Sequence, residues 1–224
     1  MSGDQDAYTK ITGVSVVTTT WNEHSTISQL ILEVRTVLQG IPHEIIVVDD
    51  ESQDGTIDIA KPLADIAVTK KREGQTKGLL HGMRLAKYPV IITIDSDLEN
   101  NPKHIPELAK KTAEYDIIVA SRTKIPRLSE KIASKTLGEL VGVKDLFSNY
   151  RAYKKETIAI FNLKAGETFG AEPLIIAKKH GLKIGETPYS PSPRRRKPRI
   201  GGTIKANLRI LWALLKVWVI YLGV

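Results

Sequence analysis

The chain has 224 residues, of which 42% are hydrophobic and 26% charged, a composition typical of a folded globular protein with one main domain. Its formal charge of +8 favours an anionic partner, such as nucleic acid, an anionic membrane surface or a phosphorylated substrate. The absence of cysteine excludes disulfides and thiolate metal sites, and the five scattered histidines lack the spacing of a zinc site.

Strand and helix patterns alternate over the first half of the chain. Runs of β-branched and aliphatic residues predict strands at residues 14–20, 44–50, 66–69, 90–99 and 116–121. Helical patterns lie between them, at residues 26–39 with Ser25 or Thr26 as the cap, just after residue 56, at 77–86 and at 106–114. This alternation is typical of an α/β protein with a mostly parallel, doubly wound sheet, whose ligands bind at the carboxyl ends of the strands.

The second half of the chain is less regular. We predict a polar helix at residues 129–141, a loop or short strand at 145–153, a helix within 168–180 and a strand at 182–188. A stretch rich in proline and arginine follows, and a strongly apolar helical pattern begins at residue 203.

Acidic side chains end the second and fourth predicted strands. Asp95, Asp97 and Glu99 occupy alternate positions, so in an extended segment they would line one side of the strand end. Asp49 and Asp50 end the second strand at the same predicted edge of the sheet. Crowded carboxylates repel one another unless a cation joins them, and Mg²⁺ or Mn²⁺ carrying a phosphorylated ligand would do so.

Three other phosphate-binding classes are disfavoured. No P-loop sequence occurs in the chain, and the first strand leads into residues 18–21 without the glycines of a dinucleotide fingerprint. A phospho-receiver domain carries its paired acids on the first strand, whereas here they end the second. Its small size would also leave the second half of the chain unexplained.

Several short motifs follow one another in the order found in family 2 glycosyltransferases. They are residues 19–23, 47–56, 95–99, 120–122 and 145–153, followed by the arginine-rich stretch before Gly201 and Gly202. Over roughly residues 12–205 the chain resembles the polyprenyl-phosphate mannose or glucose synthases of that family. The resemblance implies a GT-A fold, with a Rossmann-like sheet flanked by helices, that binds a nucleotide sugar such as GDP-mannose or UDP-glucose.

The resemblance also implies a donor site. Its residues would be Thr20, Asn22 and Glu23 around the nucleoside, Asp50 on the base or ribose, Asp95 near the ribose, and Lys77. Asp97, with Glu99 in an auxiliary position, would bind a Mg²⁺ or Mn²⁺ ion that bridges the diphosphate. One of Arg194, Arg195, Arg196 or Arg199 would close over the phosphates, with Arg196 and Arg199 the residues chosen for donor binding.

On the acceptor side, the resemblance implies that Arg122 approaches the acceptor phosphate or the diphosphate. Ser134, Asp145 and Arg151 would lie near the acceptor pocket. The catalytic residues implied are Asp97, Arg122 and Arg151. Three positions depart from the family pattern: Thr19 stands for the usual proline, and Glu51 and Asn149 each stand for a usual glycine.

A lipid phosphate is already ionised at neutral pH, so its attack on the sugar needs no general base. Single displacement of the diphosphate would invert the anomeric centre. An alcohol acceptor would need a base, for which Asp145 or Glu172 is available. Two alternatives therefore stay open: a transferase of the same fold that acts on an alcohol, and a non-catalytic basic module that binds membranes.

The tail at residues 208–224 is almost entirely apolar, yet it is somewhat short for a spanning helix and contains Lys216. We therefore predict a glycosyltransferase domain at residues 1–200 and an amphipathic membrane-interface helix at 201–224. A helix packed on the domain or on a second copy, and the stub of a longer membrane region, remain alternatives. Residues 1–9 lack a signal-peptide core, which places the domain at the cytosolic face of the membrane. No nucleic-acid partner is expected, because no aromatic residue interrupts the arginine run.

Overall fold

A seven-stranded mixed sheet organises the structure, a computed structural model that describes residues 11–125, 127–168, 170–192 and 203–222. The strands are β1 (Val14–Thr20), β2 (His43–Asp49), β3 (Ile66–Thr69), β4 (Val90–Thr93), β5 (Ile117–Arg122), β6 (Arg151–Lys154) and β7 (Ile184–Tyr189). Their order is β3-β2-β1-β4-β6-β5-β7, and every neighbouring pair is parallel except the two that involve β6. The predicted α/β fold with a mostly parallel sheet is therefore confirmed.

Helices connect the strands and cover both faces of the sheet. They are α1 (Ile27–Val37), α2 (Thr56–Ala60), α3 (Gln75–Leu85), α4 (Ile105–Lys111), α5 (Leu128–Ala133), α6 (Glu139–Val141), α7 (Ala171–Lys179) and α8 (Thr203–Leu222). Short 3₁₀ segments at Pro102–His104 and Lys155–Ile160 precede α4 and follow β6.

Two local predictions need correction. Thr26 lies at the start of α1, but its hydroxyl donates to the Glu23 carbonyl oxygen at 3.2 Å instead of accepting a bond from a helical N–H. The single helix predicted at 129–141 is divided by a π-helical segment, Ser134–Gly138. Within it the Thr136 hydroxyl donates to the Ile132 carbonyl oxygen at 3.0 Å, a side-chain bond that competes with the backbone ladder.

The core has two layers because side chains alternate across each strand. On β2, Ile45 and Val47 point to one face, and Ile46 and Val48 point to the other. The first layer contains α1 and α4 through side chains such as Leu30, Ile31, Val34, Ile105 and Leu108. The second contains α3, α7 and α8 through side chains such as Leu79, Met83, Leu174, Ile210 and Val217.

The last helix, α8, packs on the domain with one face and leaves an apolar face exposed. Ile210, Ala213, Leu214 and Val217 are buried at helical spacing, and the Lys216 ammonium donates to the Ala165 carbonyl oxygen at 2.7 Å. The exposed apolar side chains are Leu208, Leu211, Trp212, Leu215, Trp218, Val219 and Ile220. Within the described ranges, no helix combines the length and the hydropathy that crossing a bilayer requires.

We predict that Gly82→Ala lowers the free energy of unfolding by about 1–2 kcal/mol, or the melting temperature by roughly 3–8 °C. A Cβ at position 82 of α3 would lie 2.5 Å from Val17 Cγ1 and 3.0 Å from Val48 Cγ2, so the helix would be pushed off the sheet. His81→Ala, at an exposed position of the same helix, is the matched control. Equal melting temperatures for the two variants in thermal unfolding would contradict the prediction.

Candidate active site

A cavity of about 460 Å³ opens at the edge of the sheet where the parallel strands end. Because β6 is antiparallel, the residues that precede it reach this edge too, and Asn149 is one of them. The predicted site residues that line the cavity are Thr20, Glu23, Asp50, Asp95, Asp97, Glu99 and Arg122. The sheet therefore brings most of the predicted donor residues and Arg122 to one place.

The acidic segment after β4 is a turn, which corrects the expectation that the strand runs on to Glu99. Leu98 has a φ of 65°, and the Glu99 N–H donates to Asp97 Oδ1 at 3.0 Å. The Ser96 hydroxyl anchors the turn to β1 by donating to the Thr19 carbonyl oxygen at 2.9 Å. The side chains of this segment face the cavity because the turn curls over β1, and not because alternate residues of a strand share a side.

Strained backbone is concentrated in the loops around the cavity. Asn22, Glu51 and Leu98 are the non-glycine residues with positive φ in the described chain, and they follow β1, β2 and β4. Such conformations cost roughly 1–2 kcal/mol each and are typical of functional sites. Position 51 keeps a φ of 57° although it carries glutamate instead of the family glycine, so this departure does not remove the left-handed turn.

The paired acids at the end of β2 have different surroundings. Asp49 is buried and accepts hydrogen bonds from the Thr20 hydroxyl at 2.7 Å and from the Ser52 hydroxyl at 2.6 Å, so it holds two loops together. Asp50 lines the cavity, where the Lys70 ammonium lies 2.6 Å from its Oδ1. The ion pair places a cation next to the predicted nucleoside contact.

Asp95 is held by neutral donors and not by a cation. Gln75 Nε2 donates to Oδ1, and Asn100 Nδ2 donates to Oδ2 at 3.0 Å. Burial raises the pKa of the Asp95 carboxyl to about 7, the nearby charge of Asp97 adds to the rise, and the hydrogen bonds from the two amides oppose it. Asp95 therefore has no cationic partner among the described residues.

Asp97 and Glu99 both line the cavity as hard oxygen ligands. In the described part of the chain, no group of three or more histidine, aspartate, glutamate or cysteine side chains is arranged to hold a metal ion alone. A Mg²⁺ ion that also binds a diphosphate needs only one or two protein carboxylates, with phosphate oxygens and waters as its other ligands. The pair therefore fits a metal shared with a phosphorylated ligand.

The turn after β1 offers an aromatic surface to the cavity. The Arg72 guanidinium carbon lies 3.4 Å from the centroid of the Trp21 ring, and both side chains line the cavity. Asn22, predicted to contact the nucleoside, is not among the cavity-lining residues, and its Oδ1 accepts a bond from the Gln53 N–H at 2.9 Å.

Arg122 lies at the cavity wall in a dense ion cluster. Its Nε lies 2.6 Å from Asp145 Oδ2, and its Nη2 lies 3.0 Å from Glu130 Oε2. Arg127 also pairs with Glu130, at 2.7 Å. Burial alone would lower the pKa of the Arg122 guanidinium, but the hydrogen bonds and charge of Asp145 raise it above its usual value. Asp145, predicted to bind the acceptor, is thus hydrogen-bonded to Arg122 through both carboxylate oxygens.

Besides Asn22 and Asp145, three further predicted site residues within the described ranges are not among those that line the cavity. Arg151 is fully buried and donates to the carbonyl oxygens of Leu146 and Gly170, both at 2.8 Å, so it is a structural residue of the core. Ser134 lies in the π-helical segment, and Lys77 pairs at the surface with a neighbouring glutamate on α3. The structure therefore does not bring these three side chains to the cavity, and their predicted roles stay predictions.

The arginine-rich stretch lies outside the described residues, and with it the predicted contacts of Arg194, Arg195, Arg196 and Arg199. The segment that leads into it is tied to the acidic turn, because the Ser192 N–H donates to the Glu99 carbonyl oxygen at 2.8 Å. Pro191 also lines the cavity.

Several cavity residues carried no signal in the sequence. Gln75 and Asn100, which hold Asp95, are neutral amides, and Gln75 is 20 positions away from its partner. Arg127 lies in a loop without a motif, and Arg209 belongs to the apolar tail. Only the proximity of Arg127 to the motif at 120–122 could have suggested its place.

Comparisons with known proteins agree with this geometry. The model of glycosyl transferase family 2 matches residues 15–173. The dolichol-phosphate mannosyltransferase of Pyrococcus furiosus is 29% identical over 227 aligned positions, which cover 91% of this chain and 64% of that protein. An undecaprenyl-phosphate 4-deoxy-4-formamido-L-arabinose transferase of Pectobacterium carotovorum is 32% identical over 166 positions, covering 66% of this chain and 51% of that protein. The chain thus spans less than two thirds of the length of either relative.

Crystal structures of the glucosyl-3-phosphoglycerate synthase of Mycobacterium tuberculosis share the fold. The complex with Mn²⁺, UDP and glucosyl-3-phosphoglycerate superposes with a TM-score of 0.77 at 21% identity, covering 95% of this chain and 81% of that one. The complex with Mg²⁺ and UDP gives a TM-score of 0.75 at 19% identity. This likeness confirms the predicted GT-A fold.

We predict that, without divalent cations, the stabilising contribution of Asp95 falls as pH rises from about 4 to about 7. The folded state holds the Asp95 proton more tightly than the unfolded state, so its contribution is fully present below the ordinary pKa of 3.8 and is lost by about pH 7. Between pH 5.5 and 8, the melting temperature of Asp95→Asn should therefore fall a few degrees less than that of the unsubstituted protein, on the order of 3–6 °C. Parallel melting curves for the two proteins in chelator would contradict this assignment.

Proposed function

The chain belongs to glycosyl transferase family 2, and on that premise we propose that it transfers a hexose from a nucleotide sugar to a polyprenyl phosphate with inversion at the anomeric carbon. A phosphate oxygen of the acceptor would attack the anomeric carbon, and the bond from that carbon to the diphosphate would break. The nucleoside diphosphate would leave. Mannose is favoured as the sugar, because the Pyrococcus furiosus relative is a dolichol-phosphate mannosyltransferase.

The observation that carries the proposal is that the acidic turn and the cluster of Arg122 and Arg127 lie on different halves of the cavity. The acids Asp50, Asp95, Asp97 and Glu99 follow β2 and β4, which lie in one half of the sheet with β1 and β3. The arginines Arg122 and Arg127 follow β5, in the other half. A nucleotide sugar with a cation fits the first half, and an anionic acceptor fits the second.

On the donor side, the nucleoside would occupy the surface formed by the turn after β1, with Trp21 as the aromatic wall and Asp50 as the polar contact. Asp97 and Glu99 would hold Mg²⁺ or Mn²⁺ beside the diphosphate. When bound, such an ion supplies electrostatic stabilisation of the departing diphosphate. GDP-mannose and UDP-glucose both remain donors of this class.

On the acceptor side, the structure favours a phosphate over an alcohol. The bases considered for an alcohol were Asp145 and Glu172. Both oxygens of Asp145 accept hydrogen bonds from Arg122, at 2.6 and 2.9 Å, and Asp145 is not among the residues that line the cavity. Glu172 is fully buried and is not among the residues that line the cavity. An acceptor that is already ionised requires neither carboxylate.

The exposed apolar face of α8 would lie in the membrane interface, with the protein attached peripherally at the cytoplasmic side. Leu128 and Ile132 of the adjacent helix α5 are also exposed and extend this apolar surface. A helix that buries one face in the domain and offers tryptophans on the other suits the boundary between headgroups and acyl chains. Residues 1–200 would then form the catalytic domain and residues 201–224 the membrane-associated helix.

We predict that Asp97→Asn reduces sugar transfer by at least about a hundredfold, because it removes a charged ligand of the cation at the diphosphate. Transfer of labelled sugar to polyprenyl phosphate and to the matching polyprenol would be measured with Mg²⁺ or Mn²⁺. Asp58→Asn, an exposed aspartate on α2, is the matched control and should retain activity. Full activity of Asp97→Asn would refute the assigned role, and transfer to polyprenol alone would favour the alcohol-acceptor alternative. No transfer by the unsubstituted protein with any donor would favour a non-catalytic module.

A second prediction concerns the membrane. Replacing Trp212 and Leu215 by serine should weaken binding to anionic phospholipid vesicles about tenfold or more, since each exposed side chain would otherwise be buried among acyl chains. Leu32→Ser, at an exposed position on α1, should bind vesicles normally. Co-sedimentation with vesicles is the measurement, and unchanged binding of the double variant would contradict the assigned membrane face.

A further inference from the structure

Four arginines in the described part of the chain line the cavity, and three of them are engaged with protein groups. The Arg72 guanidinium stacks on an aromatic ring, while Arg122 and Arg127 share the carboxylate of Glu130. The fourth is Arg209 of α8, which is exposed and has no ion pair with any carboxylate of the described residues. Its guanidinium is therefore available to a ligand.

Anchors on both sides of Arg209 hold it at the cavity wall. Ile210, the next residue, is 2% exposed and belongs to the core, and Val217 is completely buried two turns later. On the other side, Asn207 Oδ1 accepts a hydrogen bond from the Ser129 hydroxyl of α5 at 2.6 Å. These contacts fix the rotation of α8 and so determine where Arg209 lies.

Two described neighbours of Arg209 on the same helix are apolar and exposed to solvent. Leu208 is 61% exposed and Trp212 is 62% exposed. The first turns of α8 thus join a cationic group at the cavity to an apolar outer surface. An amphiphile with an anionic head and a hydrocarbon tail is the kind of molecule that matches both.

The charges around Arg209 also favour the binding of an anion. Arg122, Arg127 and Arg209 provide three guanidinium groups, whereas Glu130 and Asp145 provide two carboxylates. Among these five groups one positive charge is therefore uncompensated; Glu167, which also lines the cavity, accepts hydrogen bonds from Thr76 of α3. Guanidinium groups bind phosphate through two parallel hydrogen bonds, and they form strong contacts when partly removed from water.

We propose that Arg209 binds the phosphate of the lipid acceptor and positions it at the cavity while the hydrocarbon chain lies along the apolar face of α8. This inference rests on the proposed function and assigns it a phosphate-binding residue on the helix that also contacts the membrane. Arg122, held by Asp145 and Glu130, would then be a fixed electrostatic partner, with Arg209 as the direct phosphate ligand.

Phosphate binding can be separated from membrane attachment by steady-state kinetics of the full chain. The acceptor is a short, water-soluble isoprenyl phosphate, and no vesicles are present. Arg209→Gln should raise the KM for this acceptor about 10- to 100-fold, with kcat and the KM for the nucleotide sugar changed by less than about threefold. Arg209→Lys should recover part of the loss, because it restores the charge without the paired hydrogen bonds.

Lys131→Gln is the matched control, since it removes a positive charge from an exposed position of the neighbouring helix α5 that does not line the cavity. Its KM should equal that of the unsubstituted protein. Melting temperatures establish that all variants are folded. An unchanged acceptor KM for Arg209→Gln would overturn the inference. So would a rise seen only with long-chain acceptor in vesicles, because that result would assign Arg209 to membrane attachment.

Direct binding distinguishes failure of this inference from failure of the proposed function. Calorimetric titration with the short isoprenyl phosphate and with the corresponding alcohol needs no turnover. The inference is supported if the unsubstituted protein binds the phosphate more tightly than the alcohol and Arg209→Gln does not. If the unsubstituted protein binds the phosphate and transfers sugar to it while Arg209→Gln does so equally well, the function stands and the inference fails. If the unsubstituted protein neither binds nor glycosylates it, the proposed function itself fails.

Discussion

Repulsion among carboxylates at one edge of the sheet is the constraint on which the rest of the site depends. The protein compensates each acid differently: Asp49 with hydroxyl donors, Asp50 with the Lys70 ammonium, and Asp95 with two side-chain amides. Amides lower the energy of a carboxylate less than a cation does, which is consistent with the raised pKa of Asp95. A cation added at the acidic turn would therefore favour the ionised form of Asp95.

The order of the strands separates two kinds of chemistry. The parallel strands β3, β2, β1 and β4 carry the acidic and aromatic loops, and β5 leads to the arginines. Between them lies β6, which runs the other way and brings the loop before it to the cavity. A phosphorylated donor and an anionic acceptor would repel each other in a uniformly acidic or featureless cavity. Placing the cation site and the guanidinium groups on different halves of the edge allows both to approach.

The helix α8 links this cavity to the outer surface. It buries Ile210 and Val217 in the core, lines the cavity with Arg209 and exposes Trp212 and other apolar side chains. The sequence of α8 is apolar on nearly all sides because one apolar face packs on the domain and the opposite apolar face is left for a partner. Under the proposed function, the partner is the lipid boundary from which the acceptor enters.

The sequence by itself determined the α/β class, the positions of most strands and the family, because buried parallel strands are continuous apolar runs and the acids directly follow them. β1 and β3 have the predicted bounds, and Asp50, Asp97 and Arg122 were placed at the cavity by their motifs. The tertiary structure decided which charged groups are available to bind a ligand. Arg151 belongs to a predicted motif, but its guanidinium donates hydrogen bonds to backbone carbonyl oxygens in the core. Arg209 belongs to no predicted motif, yet it lines the cavity. The reason is physical: a motif reports residue types along the chain, but the availability of a charge depends on partners from distant elements, which only packing brings together.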